Sequence, residues 1–184
     1  CETTNSFPLL AIPFFILAGS IMSRGGMSDR LIDLARTLVG GVPGGVAMVS
    51  VVACMLFAAV SGSTAATTAA IGIVLIPAMI NSGFSRGAAT GLQATAGSIG
   101  IIIPPSIPIV LLGVVANISI GKLFLGGIFP GLAVGMALMS VALITAVLQK
   151  HPRGTERERG ASPSSFLRAF ARSILPLLTV VFVV

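Results

Sequence analysis

The chain has 184 residues, 55% of them hydrophobic and only 9% charged, with a formal net charge of +6. Soluble domains carry about 25% charged residues, so the composition excludes a water-soluble globular protein and indicates an all-α polytopic membrane protein. The basic excess, which in a soluble protein would suggest nucleic acid, reads here as membrane topology.

Uncharged stretches run over 3–23, 37–85, 87–121, 123–149 and 173–184. A membrane-spanning helix needs roughly 20 mainly apolar residues, so residues 1–23 are expected to hold one span. The chain opens on Cys1 without a charged leader and closes in the apolar run LPLLTVVFVV, which reads as an internal piece of a longer membrane protein without a signal peptide. Cys1 and Cys54 are too few and too far apart for a disulfide framework or a metal site. Cys54 is expected to pack as a small hydrophobe.

Residues 28–39 form an amphipathic pattern, with Leu31, Leu34, Ala35 and Leu38 on one face and Asp29, Arg30, Asp33 and Arg36 elsewhere. Ser28 is the expected N-cap, with Asp29 in the first turn. The pattern fits a helix lying in the cytoplasmic interface, with an ordinary loop helix as the plainer alternative. GGVPGG, next along the chain, reads as a hinge.

Residues 44–80 are expected to form a helical hairpin. Near the middle of the uncharged stretch 37–85 lies SGSTAATTAA, residues 61–70, with hydroxyls at Ser61, Ser63, Thr64, Thr67 and Thr68 and no bulky side chain. Two arrangements fit: two full spans meeting at an external turn, or a re-entrant hairpin that turns within the membrane. Hydroxyls on the second arm favour the re-entrant form, since irregular backbone at depth is tolerated only against protein or a water-filled cavity. Small residues that merely allow close helix packing are the plainer reading.

Residues 87–121 read as one broken transmembrane helix. The run GSIGIIIPPSIP sets Pro104, Pro105 and Pro108 near its centre. Adjacent prolines lack amide hydrogens and disfavour helical geometry in the residue before each. The first half-helix is expected to end near Ile103 and the second to start around Pro105 and Ser106. Residues 122–148 supply a further span, in which Gly127, Gly131 and Gly135 read as a packing face. The polar linker 149–165 follows, with His151 solvated in it, and then a short amphipathic start over 166–172 within 166–184.

With the hairpin entering and leaving on one face, ten cations share a side: Arg24, Arg30, Arg36, Arg86, Lys150, Arg153, Arg157, Arg159, Arg168 and Arg172. Lys122 alone lies opposite, so the crowded side is cytoplasmic. Within the predicted membrane stretches the ionisable groups are only Arg86 and Lys122, at their boundaries. A proton relay needs an intramembrane ionisable group, so a neutral-oxygen site for Na+ fits better. Broken helices suit that chemistry: half-helix ends present carbonyls to a cation, and half-helix starts present amides to a carboxylate. No nucleophile elbow, P-loop or zinc-protease motif is present, so an enzyme is not expected.

At these breaks the sequence resembles the large permease subunit of tripartite ATP-independent periplasmic (TRAP) transporters, the DctM type. The resemblance rests on FPLLAIPFFILAGSIMSRGG, LVGGVPGGVAMVSVVACMLFAAVSGSTAATTAAIGIVLIPAM, GFSRGAATGLQATAGSIGIIIPPSIPIV and SIGKLFLGGIFPG, and it covers most of residues 7–131. It implies a Na+-coupled symporter of the bacterial inner membrane for organic acids such as C4-dicarboxylates or sialic acid. Its implied partners are a small four-helix membrane subunit and a periplasmic substrate-binding protein, and it has no cofactor beyond the coupling ion. The implied fold is an inverted-repeat elevator of the ion-transporter superfamily type. One repeat is present here, and the second begins after the linker.

Carried over by position, Ser61, Gly62, Ser63 and Thr64 would form the hairpin tip and Gly100, Pro104, Pro105 and Ser106 the facing unwound segment, together one Na+ site. Ser63, Thr64, Thr67, Pro105 and Ser106 would face the substrate. The alternatives are another proton- or Na+-coupled carboxylate permease of the same superfamily, and a non-transporting membrane scaffold.

Overall fold

The computed structural model describes residues 25–42 and 44–148, together with Leu17 and Ile21. The expected span over 1–23, apart from those two residues, the linker 149–165 with His151, and the segment 166–184 lie outside the described residues. Among the described residues every regular element is helical.

Helix α1, Met27–Val39, begins earlier than the sequence suggests. Gly26 is its N-cap, in the left-handed region at φ 75°, and makes no side-chain capping bond. Ser28 is therefore not the cap but a buried residue of the first turn, because a glycine able to take positive φ lets the helix start at Met27. The buried stripe is Leu31, Ile32, Leu34 and Ala35, whereas Leu38, expected on the same face, is 51% exposed. That stripe joins the core formed with α2, so protein covers the face that amphipathicity would offer to lipid.

Helix α2, Gly45–Ser61, is the hub: α1, the helix that follows it, and two later helices all pack on it. It is apolar on every side and buried on most, as expected of a helix surrounded by protein. Helix α3, Thr64–Asn81, returns antiparallel and keeps its helical course through Pro77. Phe57 of α2 with Ile71 and Leu75 of α3 fills the centre of the pair. Met79 and Phe84 join Val46, Ala47, Ala142 and Ala146 at the open end of the hairpin.

Helix α4, Arg86–Ser98, is capped by the Ser85 hydroxyl, which accepts from the Ala88 amide at 3.2 Å. A single 3-10 turn, Ile99–Ile101, follows. After an irregular segment, α5 covers Ile107–Ala116 with Pro108 in its first turn. The break thus opens five residues before the expected Ile103, and the second half starts at Ile107. The Ile103 amide still reaches the Ile99 carbonyl at 3.1 Å, and the ladder fails beyond it. In a continuous helix the carbonyls of Gly100, Ile101 and Pro104 would accept from residues 104, 105 and 108, and all three are prolines without an amide hydrogen.

Helix α6, Ile120–Leu148, is the longest element among the described residues at 29 residues, or about 44 Å. It and α3 are long and apolar enough to cross a membrane, while α5, of 10 residues, would reach about 15 Å. On α6, Gly127 approaches Ile102, Gly131 approaches Ile103 and Gly135 approaches Met55 so closely that a Cβ on any of them would collide. The packing face read from these glycines is therefore the seat of the irregular segment and of α2.

Candidate functional site

Four helix ends converge where the hairpin turns. Helix α2 ends at Ser61, and Gly62 caps it at φ 58° with its amide bonded to the Ala58 carbonyl at 2.9 Å. Only a residue that takes the left-handed region without strain reverses the chain this tightly. Ser63, extended at φ −132°, caps α3: its hydroxyl accepts from the Ala66 amide at 3.4 Å, and its carbonyl accepts from the Thr67 amide at 3.0 Å. The Ser61 and Thr67 hydroxyls are paired at 2.9 Å, tying the end of one arm to the first turn of the other.

Residues on either side of the break meet this tip. A Cβ on Gly100 would stand 3.2 Å from the carbonyl carbon and oxygen of Ser63 and from the Thr64 nitrogen, so the two backbones approach closely and a side chain there would press on them. The first amide of α5, at Ile107, donates to the Gly62 carbonyl at 3.5 Å. The Ser106 hydroxyl donates to the Ile101 carbonyl at 2.8 Å. It thereby replaces the amide that Pro105 cannot offer and leaves Ser106 without a capping role on α5.

The expected residues accordingly fall into three groups. Ser61, Gly62, Ser63, Thr64 and Gly100 are brought together at the tip. Ser106 braces the break from inside. Pro104 and Pro105 are buried, the Pro104 ring beside Gly127 of α6, and they add no polar side-chain atom. Of the residues expected to face substrate, Ser63 and Thr64 keep partial exposure, while Thr67, Pro105 and Ser106 are enclosed within this half.

One polar atom at the tip is unspent. The Thr64 hydroxyl oxygen is buried without a hydrogen-bond partner. A buried group left so costs about 1–3 kcal/mol. It sits beside the Gly100 contact, at the start of α3, among the ends of α2 and the 3-10 turn, where carbonyl oxygens accumulate. A hard cation held by neutral oxygens would satisfy it. Among the described residues there is no cluster of His, Cys, Asp or Glu that could hold a metal ion, and the polar atoms at the tip are hydroxyl and backbone groups.

The sequence reading passed over one residue. Gln93, one of only two glutamines in the chain, stands within the uncharged stretch 87–121 and is fully buried on α4. A carboxamide in so apolar a setting was the available signal.

The family model for the DctM component of tripartite ATP-independent periplasmic transporters matches residues 1–184. The isethionate TRAP transporter permease protein DctMQ of Oleidesulfovibrio alaskensis is 54% identical over 74% of this chain and 21% of its own length. The C4-dicarboxylate large permease DctM of Pseudomonas aeruginosa is 48% identical over 82% of this chain and 35% of its own. The 2,3-diketo-L-gulonate large permease YiaN of Escherichia coli is 42% identical over 98% of this chain and 41% of its own. The chain thus spans less than half the length of each of these relatives.

Proposed function

This chain belongs to the DctM component family of tripartite ATP-independent periplasmic transporters, and from that premise we propose that it forms the first repeat of a Na+-coupled large permease that imports organic anions. The observation that carries the coupling ion is the partnerless Thr64 hydroxyl at a tip built of carbonyls and hydroxyls. Ser61, Gly62, Ser63 and Thr64 would hold the cation from the hairpin, and Gly100 and Pro104 from carbonyls whose helical donors are prolines. The bound cation supplies positive charge that favours an anionic substrate beside it. Ser106 and Thr67 brace the two halves, and Ser63 and Thr64, at the amide-rich start of α3, meet the substrate.

The re-entrant form of the hairpin draws support from α6 used as a ruler. Residues 102 and 103, next to the tip contacts, lie against Gly127 and Gly131. Gly127 is seven residues inside the start of α6 at Ile120, about 10 Å along its axis. That separation supports a tip that stops short of the end carrying Lys122, as a turn within the membrane requires. In the full-length protein, the hairpin and broken helix would move as one body in an elevator step, in the bacterial inner membrane. The small membrane subunit and a periplasmic binding protein would act as partners.

The relatives are named for isethionate, a C4-dicarboxylate and 2,3-diketo-L-gulonate. All three are organic anions, so the substrate class is an organic acid. Uptake of these three anions by the full-length protein, with Na+ replaced by choline or K+, tests the coupling. Loss of uptake supports the proposal, and undiminished uptake refutes it.

A further inference from the structure

The side chain of Gln93 lies between two pairs of residues, each pair one turn apart on a different arm of the hairpin. On α2, the Ser50 hydroxyl donates to the Gln93 Oε1, and the Gln93 Nε2 donates to the Cys54 sulfur at 3.3 Å. On α3, the same Nε2 donates to the Thr68 carbonyl at 3.4 Å, and a Cβ on Gly72 would come within 3.2 Å of the Gln93 Cγ. Both amide hydrogens and the carbonyl oxygen are therefore engaged. The residue is fully buried, so any displacement that broke these bonds would strand a polar group away from water.

These contacts are one rung of a ladder between α3 and α4. Gly72 faces Gln93. One turn on, Thr68 faces Gly97 so closely that a Cβ on Gly97 would overlap the Thr68 hydroxyl. At the top, Thr64 faces Gly100. The two upper rungs, at Gly97 and Gly100, are glycine contacts that resist sliding only by shape. A slip of one turn, about 5.4 Å, would carry Gly100 away from Thr64. Gln93 is the polar tie at this seam, and it grips the hairpin from both arms.

We propose that Gln93 is a positioning residue for the cation site: its carboxamide locks the register of α4 against the hairpin and so sets Gly100 against Thr64. It acts from below the tip, without touching the ion, and the proposal rests on the reading of the tip as a Na+ site. Residues that orient ligands in this way commonly change ion affinity by about 10-fold or more when replaced.

The test uses the full-length protein and the variant Gln93→Met, which keeps length and bulk but removes the bonds. Two measurements are made: binding of radioactive sodium, and dipolar broadening between spin labels at positions 73 and 90. Both labelling positions are exposed, on α3 and α4; the full-length protein's exposed cysteines are replaced, and buried Cys54 is left in place. The expected result is a half-saturation raised about 10-fold at unchanged binding capacity, with weaker and more dispersed coupling between the labels. A variant that merely folded less well would lose capacity at unchanged half-saturation and unchanged coupling, and that would overturn the proposal. A change in half-saturation with label coupling as in wild type would overturn the register lock. If wild type bound no sodium while Gln93→Met still dispersed the labels, the cation reading would fall and the lock would stand.

Discussion

Gly100 meets Ser63 backbone to backbone: a methyl group added at Gly100 would stand 3.2 Å from the Ser63 carbonyl carbon and oxygen. With the Ile107 amide bonded to the Gly62 carbonyl at 3.5 Å, this contact links the hairpin tip to the break in the next span. Gly100→Ala forces the two apart by a few tenths of an ångström. The full-length variant is expected to accumulate in the membrane near wild-type level while its half-saturation for Na+ rises about 10-fold. Wild-type half-saturation would show that the contact is packing alone.

Thr64→Val replaces a hydroxyl that has no partner with a methyl of similar size. Removing an unsatisfied buried polar group ordinarily helps stability, by about 1–3 kcal/mol. Thermal unfolding in choline buffer is therefore expected to show the variant at least as stable as wild type. A clear loss of stability in the absence of Na+ would mean that the hydroxyl has a structural partner.

Ser61 and Thr67 lock the two arms through one hydroxyl pair at 2.9 Å. A double-mutant cycle with Ser61→Ala and Thr67→Val should return a coupling of about 1 kcal/mol in unfolding free energy. Additive single effects would dissociate the pair from the stability of the tip.

Gly131→Val drives a branched side chain into Ile103, where even a Cβ collides. Phe129, two residues away, is 79% exposed on the same helix, and Phe129→Leu should be neutral. Membrane-fraction yield of the full-length variants is expected to collapse for the first and hold for the second. Equal yields would contradict the seating of the irregular segment on α6.

The hairpin turn and the helix break were legible because each violates a membrane rule locally. Hydroxyls and glycine at residues 61–64 interrupt an apolar run, and Pro104, Pro105 and Pro108 remove three specific amides. Proline arithmetic gives the loss of ladder bonds from the Gly100 carbonyl onward, but not the tightening into a 3-10 turn that ends α4 at Ser98. The start of α1 was not legible, because a glycine N-cap carries no side-chain signature and Ser28 mimicked one. Leu38 shows the limit of periodicity, which gives a face but not how far along the helix a neighbour covers it. Gln93 needed tertiary structure, since its partners Ser50, Cys54 and Thr68 come from two other helices.

The most direct test of the central claim is saturable binding of radioactive sodium to the full-length protein, wild type against Thr64→Val, with unlabelled Na+ and K+ as competitors. The predicted result is a wild-type curve displaced by Na+ and not by K+, with a component that Thr64→Val moves to about 10-fold higher concentration. Superimposable curves, or no saturable binding in wild type, would contradict a cation site at the meeting of the hairpin tip and the broken helix.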